Sequence, residues 1–206
     1  MPTGVALHNA REQLFDAAER VLLRDGPSAL TSRAVTAEAG CAKGVLHRHF
    51  ADFDAFLAEF VADRARRTEA QGAALAESAG TGTVVDNLAE AMIAVFGSAA
   101  VAILPLITFR DELRARLRAT WPTGLPIIAE AVRAVASYLA AERDLGRIAA
   151  DADVEALAPA LLGAGHLQFA DRTAPPPDRE AVRSTVTTIL GGLLRRPAAP
   201  ENSPRV

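Results

Sequence analysis

From Leu14 to Leu193 the apolar residues of this chain return every three or four positions, and nowhere do they alternate singly between turn signals. That spacing puts each group on one face of a helix, and each face must be buried against another element. The stripes are Leu14, Ala18, Val21 and Leu22, then Phe53, Phe56, Leu57, Phe60 and Val61, then Val85, Leu88, Met92, Val95 and Phe96. Further on come Ile127, Ala131, Val135, Tyr138 and Leu139, then Val154, Leu157, Leu161 and Leu162, then Val182, Val186, Ile189, Leu190 and Leu193. The chain is predicted to be all-α. Only 5% of its 206 residues are aromatic, which argues further against sheet, and 50% are apolar, too many for a disordered chain.

Composition removes several classes. One cysteine, Cys41, excludes an internal disulfide and a cysteine-rich zinc site. No apolar run is long enough to cross a bilayer, and the first residues lack a basic region followed by an apolar core. The expectation is a soluble, cytoplasmic protein without a membrane partner. The 22 basic residues are outnumbered by 25 acidic ones, so any nucleic-acid contact must come from a local patch. No catalytic triad, phosphate-binding glycine loop or paired-carboxylate motif is present, so no enzyme activity and no cofactor are expected. His47 and His49 are two apart on a helix and point to different faces, which does not make a metal site.

The punctuation is densest at the start. Asn9 followed by Glu12 forms a capping box, and the sequence from Arg24 to Pro27 stops the first helix. Thr31 caps a second short helix through Ala39, Gly40 breaks it, a third runs over 42–49, and Asp52 caps the next. Beyond residue 52 the helices lengthen. Residues 97–109 carry no charged side chain and are expected to be buried on all sides. The expected division is a head over 9–52, a larger helical body over 53–195 and a flexible tail over 196–206.

The stretch TSRAVTAEAGCAKGVLHRHF, residues 31–50, has the layout of a helix-turn-helix. Val35 and Ala39 face inward onto Leu46. Gly40 takes the left-handed turn, and Gly44 lets the backbone approach another surface. Lys43, His47 and Arg48 point outward, available to phosphates or base edges, and Arg33 starts the second helix where it can hold a flanking phosphate. Helix-glycine-helix hairpins also occur without any DNA role, so the wider arrangement decides: three short helices, then Phe50, Asp52 and a long helix carrying Phe53, Phe56 and Leu57.

This arrangement resembles the DNA-binding region of TetR-family transcriptional regulators. Leu14-Phe15-Asp16-Ala17-Ala18 is similar to the family's opening helix, and AEAGCAKGVLHRHFADFDAFL, residues 37–57, to its most recognisable motif. The resemblance implies an N-terminal helix-turn-helix domain followed by a helical ligand-binding and dimerisation domain. It places Thr31, Arg33, Lys43, Gly44, Val45, His47, Arg48 and His49 at double-stranded DNA. Four positions depart from the family pattern: His47 replaces a phosphate-binding tyrosine, Phe53 a phosphate-binding lysine, and Ala42 and Val45 replace serine or threonine. Fewer phosphate contacts weaken binding and flatten its salt dependence.

The resemblance also implies an apolar effector cavity among the middle helices. Met92, Phe96, Thr108, Phe109, Trp121, Tyr138, His166 and Gln168 are candidate lining residues, each of which also suits an ordinary core. Arg110, Arg114 and Arg118 share one face. They read as a solvated face pairing with Asp111 and Glu112, or as an anion-attracting entrance to a pocket. Leu161, Leu162, Gly165, Val186, Ile189, Leu190 and Leu193 are a surplus of apolar groups for one buried face. They suit a homodimer interface or internal packing. The implied function is a homodimeric, ligand-responsive transcriptional regulator, a repressor released from its operator by a small apolar effector. The alternative is a helical ligand-binding or interaction module that has lost DNA binding.

Overall fold

The computed structural model describes residues 10–97, 100–171 and 175–195. Among the described residues ten α-helices follow one another: α1 (Ala10–Asp25), α2 (Ser32–Glu38), α3 (Gly44–His49), α4 (Phe53–Glu77), α5 (Val84–Phe96), α6 (Ala100–Thr108), α7 (Asp111–Arg118), α8 (Pro126–Asp144), α9 (Val154–Phe169) and α10 (Arg179–Leu190). A single 3-10 turn, Pro27–Ala29, links α1 to α2. No strand occurs among the described residues, where one antiparallel bridge joins Ile148 to Leu194. The all-α expectation holds. The Asn9 cap and the tail over 196–206 lie outside the described residues. No single described helix is long and apolar enough to cross a membrane.

The chain divides into two compact units. One takes the residues up to Thr68 together with Phe96–Glu130, and the other takes Glu69–Val95 together with the chain from Ala131 on. In the first unit the inner face of α1, with Leu14, Phe15, Ala18, Val21 and Leu22, is buried against α2 and α3, which contribute Val35 and Leu46. The caps are formed where the sequence places them. Ala34 N donates to Thr31 Oγ1 at 3.1 Å, and Ala55 N donates to Asp52 Oδ1 at 2.6 Å. No side chain caps α3, which starts at Gly44 rather than at Ala42. Alanine at 42 has no oxygen to accept from the first free N–H groups.

Phenylalanines close the junction of α1, α3 and α4. Phe56 is fully buried, with its ring 5.7 Å from Phe15, 5.1 Å from Phe50 and 5.6 Å from Phe53. One turn on, Phe60 stacks on Phe56 at 6.4 Å. Arg64, the next residue along this face, has only 6% of its side chain exposed. It pairs with Asp16 at 3.1 Å, Glu19 at 2.7 Å and Asp63 at 2.6 Å, which ties α4 to α1.

The same unit holds α6 and α7. α6 packs on α1 and on the 3-10 turn, with Ile103, Leu106 and Ile107 buried. Burial of 97–109 on all sides does not extend to the end of the segment. Thr108 is exposed and Phe109 is 85% exposed, because the chain turns there into α7. An uncharged stretch shows only that no side of it needs water; it does not show that neighbours cover every side.

In the second unit α9 and α10 pack on each other. Leu161, Leu162, Gly165, Val186 and Leu190 are buried between elements of one chain, while Ile189 and Leu193 are half-buried. Leu193 lies beyond the end of α10, in the turn whose backbone accepts from Ala149 N at 2.8 Å. Elsewhere in this unit Glu142, fully buried, accepts from Gly80 N at 3.2 Å and pairs with Arg147 at 3.3 Å. The Tyr138 hydroxyl accepts from Asn87 Nδ2 at 3.0 Å. Burial first, and then the hydrogen bond to Glu142, push the Tyr138 phenol well above its usual range.

Candidate nucleic-acid interface and apolar cleft

The helix-turn-helix is aimed by its turn. Gly40 has φ 65°, and Cys41 N donates to Thr36 O at 3.0 Å, which closes the end of α2. A side chain at 40 would be strained in this backbone conformation although no atom stands in its way. Beyond the turn α3 is two-sided. Leu46 is fully buried, whereas Lys43, Gly44, His47, Arg48 and His49 are exposed and Val45 is half-buried. Nothing lies within 4 Å of a Cβ added at Gly44, so this face of the helix is open at its start. Thr31 and Arg33 are exposed at the start of α2. All eight residues expected at DNA thus lie on the helix-turn-helix, and seven of them are exposed.

Ion pairing singles out the same face. Arg11 pairs with Glu59. Arg20 and Arg24 both reach Glu38, at 2.7 and 2.8 Å, and Arg64, Arg66 and Arg67 share Asp63. Hydrogen bonds from Arg20 and then Arg24 hold the Glu38 carboxyl below its usual range. Between residues 10 and 68 the cations without a carboxylate partner among the described residues are Arg33, Lys43 and Arg48. A chain of net charge −3 therefore keeps its uncompensated positive charge in the head on the helix-turn-helix.

Phe53 has a definite place. It stacks on Phe56 with 19° between the rings, and the Arg110 guanidinium lies over its ring, 5.6 Å from the centroid. Arg110 also pairs with Asp54 at 3.1 Å, and Arg116 pairs with Asp52 at 2.8 Å. Two arginines at α7 are thus spent on the first turn of α4. The hydrogen bond from Ala55 N, followed by that from Arg116, keeps the Asp52 carboxyl below its usual range.

Among the described residues, an apolar cleft opens in the first unit between α6 and the start of α8. Ala100, Ile103, Leu104, Ile107, Leu125, Ile127 and Ile128 line it. It encloses about 10 Å³, room for about one water molecule. None of the eight residues chosen from the sequence as cavity lining is among these seven. Phe96, Thr108, Phe109 and Trp121 belong to the first unit, and Met92, Tyr138, His166 and Gln168 to the second. Met92 and Tyr138 are fully buried. Trp121 Nε1 donates to Glu130 at 3.0 Å, and Gln168 Nε2 donates to Thr185 at 2.8 Å. Choosing polar and aromatic residues passed over a cleft that is purely aliphatic. The signal that pointed to it was the uncharged run over 97–109.

Residues 14–60 match the family model of the bacterial regulatory proteins of the tetR family. No curated protein matches the chain. Among solved structures, a TetR transcription regulator from Haloarcula marismortui is 17% identical with a TM-score of 0.68, over 90% of this chain and 98% of that one. FadR from Bacillus subtilis, solved with stearoyl-CoA, is 16% identical with a TM-score of 0.67, over 88% and 98%. The multidrug-binding protein EbrR, solved with imidazole, is 24% identical with a TM-score of 0.53, over 93% and 98%. The matched segment runs from α1 through the helix-turn-helix into α4, so residues 14–60 are similar to the tetR-family regulatory proteins, and the fold of these solved structures is shared over most of the chain.

Proposed function

We propose that this protein is a homodimeric repressor that binds an operator through α3 and releases it when a small molecule enters the first unit. One observation carries the reading: the only cations of the head left without a carboxylate partner among the described residues, Arg33, Lys43 and Arg48, lie on the helix-turn-helix. Phosphates complete their pairing, and the exposed side of α3 is free to meet base edges. The response follows from α6, which lines the cleft and also packs on α1 and the 3-10 turn. A molecule that opens the cleft moves a helix the head rests on. Operator and effector then oppose each other by linkage. The solved relatives holding stearoyl-CoA and imidazole support a ligand-responsive role.

A second copy is placed at the outer side of α9 and α10. Ala156, Pro159, Ala160, Gly163 and Leu167 are exposed in one stripe of α9, and Ser184, Thr187 and Thr188 are exposed on α10. Leu167 is 76% exposed, a large apolar group that a partner would cover. The candidate interface residues chosen from the sequence lie beneath this surface and would hold its shape. Leu167→Arg is expected to turn a dimer into a monomer in analytical ultracentrifugation with the melting midpoint of the fold little changed. A dimer of undiminished affinity would refute this placement.

Selection of bound duplexes from a random pool tests the whole reading. The expected product is a palindrome whose half-sites are about 34–36 Å apart or a multiple of one turn, as two α3 helices of a dimer require. Recovery of no enriched sequence at moderate salt would favour a helical module without DNA binding.

A further inference from the structure

The apolar cleft has a charged border. Outside the head, two arginines of α7, Arg114 and Arg118, form no ion pair among the described residues. Their neighbours differ: Arg110, just before α7, is bound to Asp54, and Arg116 to Asp52. The carboxylates closest in sequence, Asp111 and Glu112, take neither of the two, so the reading of this face as a self-neutralised one does not hold.

Both arginines lie where the cleft's two walls meet the surface. Gly124 has φ 71°, and a Cβ built there would stand 2.7 Å from Arg114 Cγ and 3.4 Å from Arg118 Cγ. The stems of both therefore press on the backbone one residue before Leu125, which lines the cleft. From there the Arg114 guanidinium reaches the other wall and donates to the carbonyl of Thr108, one residue after Ile107. Its Nε is buried and has no hydrogen-bond partner. Arg114 thus straddles the rim between α6 and the entry to α8, with a donor unfilled, and the exposed Arg118 stands beside it. A purely apolar interior bounded by unpaired guanidinium groups is complementary to one kind of molecule.

We propose that the cleft takes an amphipathic anion, with its apolar chain between α6 and α8 and a carboxylate or phosphate head held by Arg114 and Arg118. The proposal rests on the reading of the protein as a ligand-responsive regulator and names the chemistry of its effector. The seven aliphatic lining residues offer an entering molecule no side-chain hydrogen bond, so the head group must be recognised at the rim. From Ala100 to Ile107 the α6 wall is about 10 Å long, at 1.5 Å per residue, which suits a medium-length alkyl chain. The enclosed space is far smaller than such a chain, so binding separates α6 from α8.

Isothermal titration of the full-length protein without DNA tests this, using decanoate, decyl phosphate, 1-decanol and decyltrimethylammonium below their micelle concentrations. At least one anion is expected to bind about tenfold or more tightly than the alcohol, with the cation weakest, since a charge-assisted contact is gained only by the anion. The tighter anion identifies the head group. Arg118→Gln is expected to weaken the anion about tenfold and leave the alcohol unchanged, while Arg118→Lys retains most of the affinity. Arg118 is exposed, and an unchanged melting midpoint verifies that the variants are folded. Equal binding of alcohol and anions, binding of neither anion, or insensitivity of both anions to Arg118→Gln would overturn the proposal. Operator binding, measured separately on the same preparation, distinguishes the two failures. Operator binding without anion binding overturns this inference alone, and loss of operator recognition overturns the regulator reading.

Discussion

Phe56→Ala lowers the unfolding free energy by about 3–5 kcal/mol, the cost of emptying a fully buried aromatic site. Phe56 is surrounded on every side that matters: Phe15 of α1 at 5.7 Å, Phe50 after α3 at 5.1 Å, and Phe53 and Phe60 of its own helix at 5.6 and 6.4 Å. The four neighbours lie on α1, on the segment after α3 and on α4, each held by its own contacts, so they cannot collapse into the space. At about 2–4 °C per kcal/mol for a chain of this length, the melting midpoint falls by about 6–20 °C. Chemical denaturation followed by circular dichroism measures the loss. A change below about 1 kcal/mol would mean that the cluster does not hold the head on α4. Because α1, α3 and α4 all meet at this ring, operator binding is expected to fall with stability.

Replacing Lys43 and Arg48 together by alanine lowers operator affinity by about a hundredfold or more at moderate salt, since contacts at base edges are worth about 1–3 kcal/mol each. Folding is expected to be unaffected, because both side chains are exposed and neither has an ion-pair partner among the described residues. The salt dependence carries the sharper prediction. A dimer loses four cations, and if all four meet phosphates the logarithmic slope shrinks by up to about 3.6. Fluorescence anisotropy over a series of salt concentrations gives both quantities. An unaltered slope would place the phosphate contacts elsewhere. His47→Ala made in the same background separates the contribution of the residue that stands where the family has a tyrosine.

Much of this molecule is legible in its sequence. Caps and breakers act over three or four residues, so Thr31, Gly40 and Asp52 are recognisable as helix boundaries from the chain itself. Thr31 and Asp52 cap their helices with side-chain bonds of 3.1 and 2.6 Å. The recognition helix was legible for the same reason: a short helix with one apolar residue, Leu46, has only one side to bury. The cleft and the candidate partner surface were harder. Both depend on which of several apolar stripes meets which neighbour, and apolar residues on a helix look alike whether they meet a core, a ligand or a second chain.

The order of local conformations was therefore set by the sequence: where each helix begins and stops, which face it buries, and which residues of the head stay outward. These follow from hydrogen bonding and steric limits within a few residues, and from the 3.6-residue period. Pairing between distant residues was decided only by the tertiary structure. Glu38 neutralises Arg20 and Arg24, Asp54 and Asp52 take Arg110 and Arg116, and Arg33, Lys43, Arg48, Arg114 and Arg118 are left over. A charge acquires its role from what lies within a few ångströms, and that distance is fixed by packing between elements far apart in the chain.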